Sequence, residues 1–597
     1  MHAGQGSPDT CGTQQHAGGG AATGGAIGRF RERPISIAGA HPRGDGDCGW
    51  RAGGQSTPGG SRCRRRTYSR PVCGGIGRAG GAAAQGTRPP SCMGVRLWPY
   101  SGPAGGRRGA SWRRAGVALY MRFKARRGLK LEAKPTDAPA VLIVGGGMAG
   151  LCAAVSALEA GAAVTVIEKS KRLGGSMRLS NGLVWTFKEA SALRSEVRGN
   201  ESLQDMVFES HLQDLGWLES QGVECGPVRP FQWYGQGRTV APDQVISAMV
   251  RRVELLGGRI RTDVAMHRLR PVRNWGYEVD VYLSETDTST LEADAVILAT
   301  GGFQGNPELV ARWITSETDN IYLRANPWST GDGLTAAMEL GAALTRGMGE
   351  FYGHAMAAPP ARFGPRQFSD MTQRYGNYAL ALNLSGRRFV DESAGTGEEA
   401  LNAEIARQEK ATAIYIIDND IAAMSREFVL APPHVSVTRA EAAGASVLRK
   451  DSIEALADSL KAWGLPAQEV LNTIQAFNTA LAAGTADQLV PPRRRNLHPI
   501  ATAPFTAVKV RAGITFTCGG LATDVDMRVL RRTGTVSTLP MLLADTADVD
   551  YCAFPNLYAA GCDVGGLSNR GYMGGLACAL VTGRKAGAQA AASARVR

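Results

Sequence analysis

The order of apolar and polar positions changes twice between residues 140 and 168. Ala140-Val-Leu-Ile-Val144 is an unbroken, mostly β-branched run, the pattern of a parallel strand covered on both faces. Gly145-Gly-Gly-Met-Ala-Gly150 follows, and small apolar residues from Met148 to about residue 160 suit a helix that Gly161 ends. Ala163-Val-Thr-Val-Ile167 reads as a second strand, closed by Glu168. Strand, glycine turn, helix and strand together predict a βαβ unit. Residues 202–222 have helical spacing, Gly257-Gly-Arg-Ile-Arg-Thr-Asp-Val264 reads as a turn and strand, and residues 276–281 and Ala293-Asp-Ala-Val-Ile-Leu-Ala299 supply further strands. The uncharged stretch 139–158 is long enough to span a membrane. Its adjacent glycines and the following Glu159 favour the βαβ reading instead.

Composition separates the first portion from the rest. Residues 1 to about 130 are rich in Gly, Arg, Ser and Pro and keep no period of 2 or 3.6, so a disordered Gly/Arg-rich tail is expected over 1–135. About 22 Lys+Arg against 4 Asp+Glu give the tail roughly +18, and the chain's net +14 leaves about −4 for the body. The basic character therefore belongs to the tail. It is read as a leader upstream of a start at Met121 or Met93; a nucleic-acid arm or an organellar transit peptide is the alternative. Of 11 Cys, five lie in the tail and six in the body, with no CxxC pair and no clustered Cys/His spacing, which leaves zinc and iron–sulfur readings unsupported. Scattered thiols suggest a reducing compartment and a cytoplasmic location. Cys152 and Cys578 read as small core residues.

The GxGxxG of Gly145, Gly147 and Gly150 lies between a buried strand and a helix, with an acid about twenty residues on, and so predicts dinucleotide binding. Gly145 permits the turn, a side chain at Gly147 would collide with a pyrophosphate, and one at Gly150 would push the helix off the sheet. Met148 and Ala149 open the helix whose free N–H groups face the phosphates. Glu168 would accept hydrogen bonds from ribose hydroxyls, and Lys169 follows it. Gly174, Gly175 and Gly182 allow backbone to approach a flat ligand. Ala299-Thr-Gly-Gly302 ends a strand where the chain again passes close to a cofactor.

These elements, with Thr330-Gly-Asp-Gly333 and Phe554-Pro-Asn-Leu-Tyr-Ala-Ala-Gly-Cys-Asp-Val-Gly-Gly566, resemble the fumarate reductase and succinate dehydrogenase flavoprotein superfamily over about residues 138–593. Gly301-Gly-Phe-Gln-Gly-Asn-Pro307, Asn383-Leu-Ser-Gly-Arg-Arg-Phe-Val-Asp-Glu392, Gly513-Ile-Thr-Phe-Thr-Cys-Gly-Gly-Leu521 and Gly571-Tyr-Met-Gly-Gly575 bring it nearest to the tricarballylate dehydrogenase-like branch. The resemblance implies an α/β, Rossmann-like FAD-binding domain in two parts, 138–345 and 501–597, with an inserted α+β capping domain over 346–500. It places pyrophosphate at the first glycines, adenosine ribose at Glu168 and adenine by the backbone of Val264. Ser176 and Gly182 would line the flavin, Asp563 would reach its ribityl chain, and Ala299, Thr300, Gly301, Gly561, Gly575 and Leu576 complete the cofactor set.

The chemistry departs from the family. The resemblance puts an arginine acid after the RFxxE segment and a histidine before the later Thr-x-Gly-Gly; here stand Ser393-Ala-Gly-Thr-Gly397 and Phe516. Tyr572 falls opposite a family arginine, with Arg570 displaced by two positions, and a tyrosine there resembles the flavin-dependent 3-ketosteroid dehydrogenases. Desaturation needs a hydride acceptor and a base, so Tyr572 and His354 are candidate bases and Arg570 a candidate carboxylate clamp. Arg387 and Arg388 are second choices with a structural role, and Arg493-Arg-Arg495 reads as a solvated edge of the cap.

No histidine follows Gly175 where respiratory relatives attach flavin, so the FAD is expected to be non-covalent. There is no second GxGxxG for NAD(P)H, so an external acceptor, a quinone or a redox partner protein, is expected. The expected function is an FAD-dependent dehydrogenase or reductase acting on a carbon–carbon bond beside a carboxylate or carbonyl of a small molecule. The rival readings are a 3-ketosteroid dehydrogenase, a nucleic-acid-binding flavoprotein using the basic tail, and a catalytically dead paralogue. Neither a nucleic-acid partner nor an integral membrane segment is expected.

Overall fold

The computed structural model describes residues 138–272, 276–425, 431–533 and 551–594. All belong to the second of two units, Val117–Arg597; the first, Met1–Gly116, lies outside the described residues, and with it the expectation of a disordered tail.

The predicted βαβ unit forms as β1 (Ala140–Val144), α1 (Met148–Glu159) and β2 (Ala163–Ile167). β1 runs parallel to both β2 and a later strand, with Val144 opposite Ile167 and Leu298. With β3 (Arg259–Arg261), β4 (Ala295–Leu298), β5 (Arg528–Arg532) and β6 (Tyr551–Ala559) the sheet order is β5-β6-β4-β1-β2-β3. Five strands are parallel; β5 pairs antiparallel with β6. Because β1 is flanked by β2 on one side and β4 on the other, the crevice beyond its carboxyl end is the switch point where ligands bind in open α/β sheets.

The segment weighed as a membrane span is thus a strand and a helix, and no described helix is long and apolar enough to cross a membrane. The helix expected over 202–222 is Glu201–Ser220, capped by the Asn200 side chain on Leu203 N–H. The long helix α2 (Gly575–Ser593) lies across α1. Gly583 and Gly587 make this crossing close: a Cβ there would stand 2.3 Å from Ala149 O and 2.2 Å from Ala153 O. Cys152 and Cys578 are buried in these two helices, and all six described cysteines are free.

The inserted region carries its own antiparallel sheet, in the order Met356–Ala357, Phe505–Arg511, Thr412–Ile417, Leu380–Leu382, with Val447–Lys450 also paired to Phe505–Arg511. The expected end of the cap at residue 500 falls short of Phe505–Arg511. That strand hydrogen-bonds along the whole of Thr412–Ile417.

The Arg493-Arg-Arg495 segment corrects its expected role. Arg493 is wholly buried, ion-paired to Glu392 at 3.2 Å and donating to Ala379 O and Asn377 O. Arg388 joins the same carboxylate through Nε at 2.9 Å. Three charged groups are thus the keystone of the cap, not its solvated edge. Arg494 and Arg495 are exposed, as expected; Arg495 also bonds Glu196 and reaches the central cavity.

Candidate active site

A cavity of about 860 Å³ begins at the carboxyl ends of β1, β2 and β4 and runs to the cap. Its nucleotide half is built from backbone. Gly145 has φ +113°, a conformation that L side chains rarely adopt, and a Cβ there would lie 2.1 Å from Ala299 O. Gly147 is the opposite case: its missing Cβ would meet no protein atom within 4 Å and would project into a space that the protein leaves open. Met148 and Ala149 open α1 on the cavity wall. Gly150 lies behind the wall, where a Cβ would be 1.8 Å from Gly145 O.

The Glu168 carboxylate, 7% exposed, accepts from Gly146 N–H and Ser170 N–H, both at 2.8 Å, and lines the cavity. Two backbone donors orient it and leave lone pairs for ribose hydroxyls. Lys169 reaches across to Thr330 Oγ1 (2.5 Å) and Asp332 Oδ2 (2.7 Å). Val264 N–H donates to Glu168 O at 3.0 Å, which brings that backbone to the cavity. Gly174, Gly175, Ser176, Ala299, Thr300, Gly301, Gly561, Gly575 and Leu576 all line it.

Gly182 and Asp563 do not. Gly182, at φ +70°, passes so close to Val240 that a Cβ would be 1.9 Å from its carbonyl oxygen, so it brings two segments together between Asn181 and Leu183, which line the cavity. Asp563 is 1% exposed and turned inward: it accepts from Thr300 N–H and, at 2.9 Å, from Thr300 Oγ1. It therefore buttresses Thr300, which lines the cavity. Burial pushes the Asp563 carboxyl up to about 6, opposed by the Thr300 bonds. Because its folded-state value is raised, the stability it contributes is complete below about pH 4 and is lost as pH rises through about 6. Thermal unfolding of FAD-free protein should show the wild type losing ground to Asp563→Asn across that window. A difference that does not change with pH would refute this.

The open cradle at Gly147, the helix N-terminus behind it and the carboxylate at Glu168 fit FAD, with pyrophosphate at the glycines and adenosine toward Val264.

The other half of the cavity is made by side chains. Phe351–Tyr352 pairs antiparallel with Phe516–Thr517, which sets Tyr352 against Phe516, ring centroids 5.0 Å apart. Tyr572 stacks on Tyr352 at 3.8 Å, and its hydroxyl accepts from Gly575 N–H at the start of α2, 2.9 Å away. His354 stands between Tyr352 OH (2.8 Å from Nε2) and Glu398, which is bonded to Nδ1. Burial pushes the His354 imidazole well below its ordinary value, helped by the charges of Arg324 and Arg374. Burial likewise pushes Glu398 up, with the neighbouring Glu399 adding to it.

Arg324 and Arg374 both line this half. Arg324 Nη1 donates to Thr515 Oγ1 at 3.0 Å, and its buried Nε has no hydrogen-bond partner. Arg374 donates to Ser369 O at 3.0 Å. Burial pushes both guanidinium groups down, Arg374 to about 10, so both stay cationic at neutral pH.

Tyr572 and His354 are therefore brought together as expected, and Arg570 is not. Gly571, at φ +90°, turns the chain between Arg570 and Tyr572; Arg570 is bridged through its backbone to Arg198, is exposed, and lies off the cavity. Sequence reasoning missed Tyr352, Arg324, Arg374, Glu398 and Glu399. Tyr352 alone left a signal, two residues before His354 and so on the same face of an extended chain.

The FAD binding domain family matches residues 234–577, and an FAD dependent oxidoreductase family matches residues 140–302. A vinyl phenol reductase of Lactiplantibacillus plantarum is 27% identical over 76% of this chain and 97% of its own length. A fumarate reductase (cytochrome) of Shewanella frigidimarina is 26% identical over 80% and 81%. Among solved structures, the 3-ketosteroid-delta4-(5alpha)-dehydrogenase of Rhodococcus jostii superposes with a TM-score of 0.57 at 20% identity, covering 78% of this chain and all but 1% of that one. Matched over more than half its length, the chain belongs to the FAD binding domain family, within the fumarate reductase and succinate dehydrogenase flavoprotein superfamily, and is an FAD-dependent oxidoreductase acting on carbon–carbon bonds.

Proposed function

We propose that this oxidoreductase reduces, or in the opposite sense forms, a carbon–carbon double bond next to a carboxylate or carbonyl that is held by Arg324 and Arg374. The observation that carries this reading is the placing of two guanidinium groups, Arg324 and Arg374, on one cavity wall beside Thr515. Paired guanidinium groups on a cavity wall are a recognition element for a planar oxyanion. Arg570 is replaced in that role, since it faces solvent.

When bound, FAD supplies the two-electron chemistry, by hydride transfer at N5. The chain's own groups do the rest. Arg324 and Arg374 orient the oxyanion, and the rings of Tyr352, Phe516, Tyr572 and Trp185 exclude water beside it. Tyr352, His354 and Tyr572 line the part of the wall where a proton is to be given or taken. The two arginines also suit one end of a polycarboxylate, so a tricarballylate-like acid remains within the substrate class. Electrons are exchanged with an external quinone or redox protein.

Flavin absorbance near ~370 and ~450 nm is expected of the purified protein. Anaerobic mixing with tricarballylate, unsaturated mono- and dicarboxylic acids, aryl acrylates and 3-ketosteroids should then change the flavin's redox state for one class. No change with any of them, in either direction, would overturn the reading. With the substrate so found, Arg374→Ala should raise KM about thirtyfold or more while kcat moves little, as loss of a buried charged hydrogen bond predicts. An unchanged KM would remove Arg374 from recognition.

A further inference from the structure

Three buried polar groups stand in line on one side of the cavity. The Tyr352 hydroxyl is 2.8 Å from His354 Nε2, His354 Nδ1 is bonded to Glu398 Oε1, and all three residues line the cavity. Both ring nitrogens of His354 are thereby engaged by protein. Glu398 is fixed in turn by Ala355 N–H, which donates to its Oε2 at 3.4 Å. The Tyr572 hydroxyl, by contrast, accepts from backbone, and no titratable side chain among the described residues is hydrogen-bonded to it.

We propose that Tyr352 is the acid–base group that exchanges a proton with the substrate carbon, and that His354 and Glu398 are positioning residues that restock it. The assignment rests on the reading of this cavity as a carbon–carbon oxidoreductase site. The geometry gives the line a direction. Burial favours the uncharged form of each member: Glu398 is pushed up, His354 down and Tyr352 up. With one proton on each, two arrangements satisfy these bonds, and the relay takes the one that leaves a donor to the cavity. Glu398 O–H donates to His354 Nδ1, His354 Nε2–H donates to the Tyr352 oxygen, and the Tyr352 O–H is left to the cavity.

In the reducing direction the carbon beside the carboxylate forms a C–H bond with the Tyr352 proton, and the other carbon of the double bond receives hydride and its two electrons from the reduced cofactor. The external donor, a quinol or a reduced redox protein, is their source. As the Tyr352 O–H breaks, the Nε2 proton moves to the phenolic oxygen and the Glu398 proton to Nδ1. The net change is one proton from Glu398 to the substrate. The carboxylate left behind faces the positive charges of Arg374 and Arg324, which favour it, and the charge of Glu399, which opposes it; the Nδ1 proton then returns to Glu398, the Tyr352 proton to Nε2, and water resupplies the Tyr352 hydroxyl. Desaturation runs the same transfers backwards. His354 therefore relays a proton without meeting the substrate, which differs from its expected role as the base.

Two readouts on full-length, FAD-loaded protein test this. Tyr352→Phe should slow substrate-dependent flavin oxidation at least ~100-fold, the usual range for loss of a general acid, while the flavin spectrum and the substrate-induced spectral perturbation stay as in the wild type. Rates within threefold of wild type would overturn the proposal. Nitrogen-15 NMR of histidine-labelled wild type needs neither substrate nor a variant that folds, apart from His354→Asn to assign the signal. Facing Tyr352, Glu398, Arg324 and Arg374, His354 should remain neutral and protonated at Nε2 from about pH 5.5 to about pH 8. An imidazolium, or a ring protonated at Nδ1, would overturn the relay. If the NMR result holds but no unsaturated acid or ketone changes the flavin, the functional reading fails and the relay geometry does not.

Discussion

Gly150→Ala is expected to give a protein that retains almost no FAD. The added Cβ would stand 1.8 Å from Gly145 O and 3.0 Å from Gly145 C, so α1 would have to move away from the turn that shapes the pyrophosphate cradle. That retreat is blocked from the far side, where Gly583 and Gly587 already bring α2 against the carbonyls of Ala149 and Ala153. Overpacking between two backbones with no flexible side chain to yield costs about 3 kcal/mol, or roughly a hundredfold in affinity. Flavin absorbance per mole of protein and an FAD titration by calorimetry measure it, and wild-type affinity would show that α1 is free to shift. Gly147→Ala is the companion experiment. A Cβ at 147 meets nothing in the protein, so the variant should unfold at the wild-type temperature and still bind FAD poorly, because the methyl occupies ligand space. Position 150 acts through packing and position 147 through the ligand. Melting of the FAD-free proteins separates the two.

Glu392→Ala is expected to lower thermal stability more than any substitution on the cavity wall. Glu392 is wholly buried between Arg388 and Arg493, themselves 5% and 0% exposed, and also accepts from Ala381 N–H at 3.2 Å. The two guanidinium groups reach outward from it to Pro491 O (2.6 Å), Pro492 O (3.0 Å) and Asn377 O (2.9 Å), so one carboxylate ties the Leu380–Leu382 strand to the loop at 491–496. Removing it leaves two buried cations without a counter-charge. Breaking a buried pair from one side costs about 3–5 kcal/mol, which for a folded body of about 460 residues corresponds to a fall of about 3–5 °C in Tm. Calorimetry of the full-length protein reads this directly, and a shift below about 2 °C would mean that water reaches the arginines. The cap would loosen as it destabilises, so activity near neutral pH should fall with temperature sooner than FAD content does.

The contrast between these two positions is also a contrast in what can be read from a sequence. Gly145, Gly147, Gly150 and Glu168 lie within one βαβ unit, and each answers a local demand: a positive φ, an open approach, a helix seated on a strand, an acid at a strand end. Such demands leave a spaced motif. The glycine turn and its acid were therefore legible, whereas Gly182 and Asp563 are held against Val240 and Thr300, off the cavity lining. The substrate half was not. His354 meets Glu398 across 44 residues, Arg324 meets Thr515 across 191, and Tyr352 meets Phe516 only because two short strands pair. None of these contacts has a period. Arg570 shows the limit of alignment by neighbourhood: it is two positions from Tyr572, and one left-handed glycine between them sends it to solvent.

The run Arg493-Arg-Arg495 makes the same point in energy. Three adjacent arginines look like a solvated edge because charged residues are buried only when paired, and the partner of Arg493 lies about a hundred residues earlier in the chain. The sequence by itself determined the βαβ unit, its cofactor and the kind of redox chemistry that the cofactor brings, since those follow from backbone constraints between near neighbours. Only the tertiary structure decided which arginines line the cavity, which tyrosine is backed by a histidine and an acid, and what holds the cap together. Those are questions of direction and pairing, settled by strands and loops that meet from opposite ends of the chain.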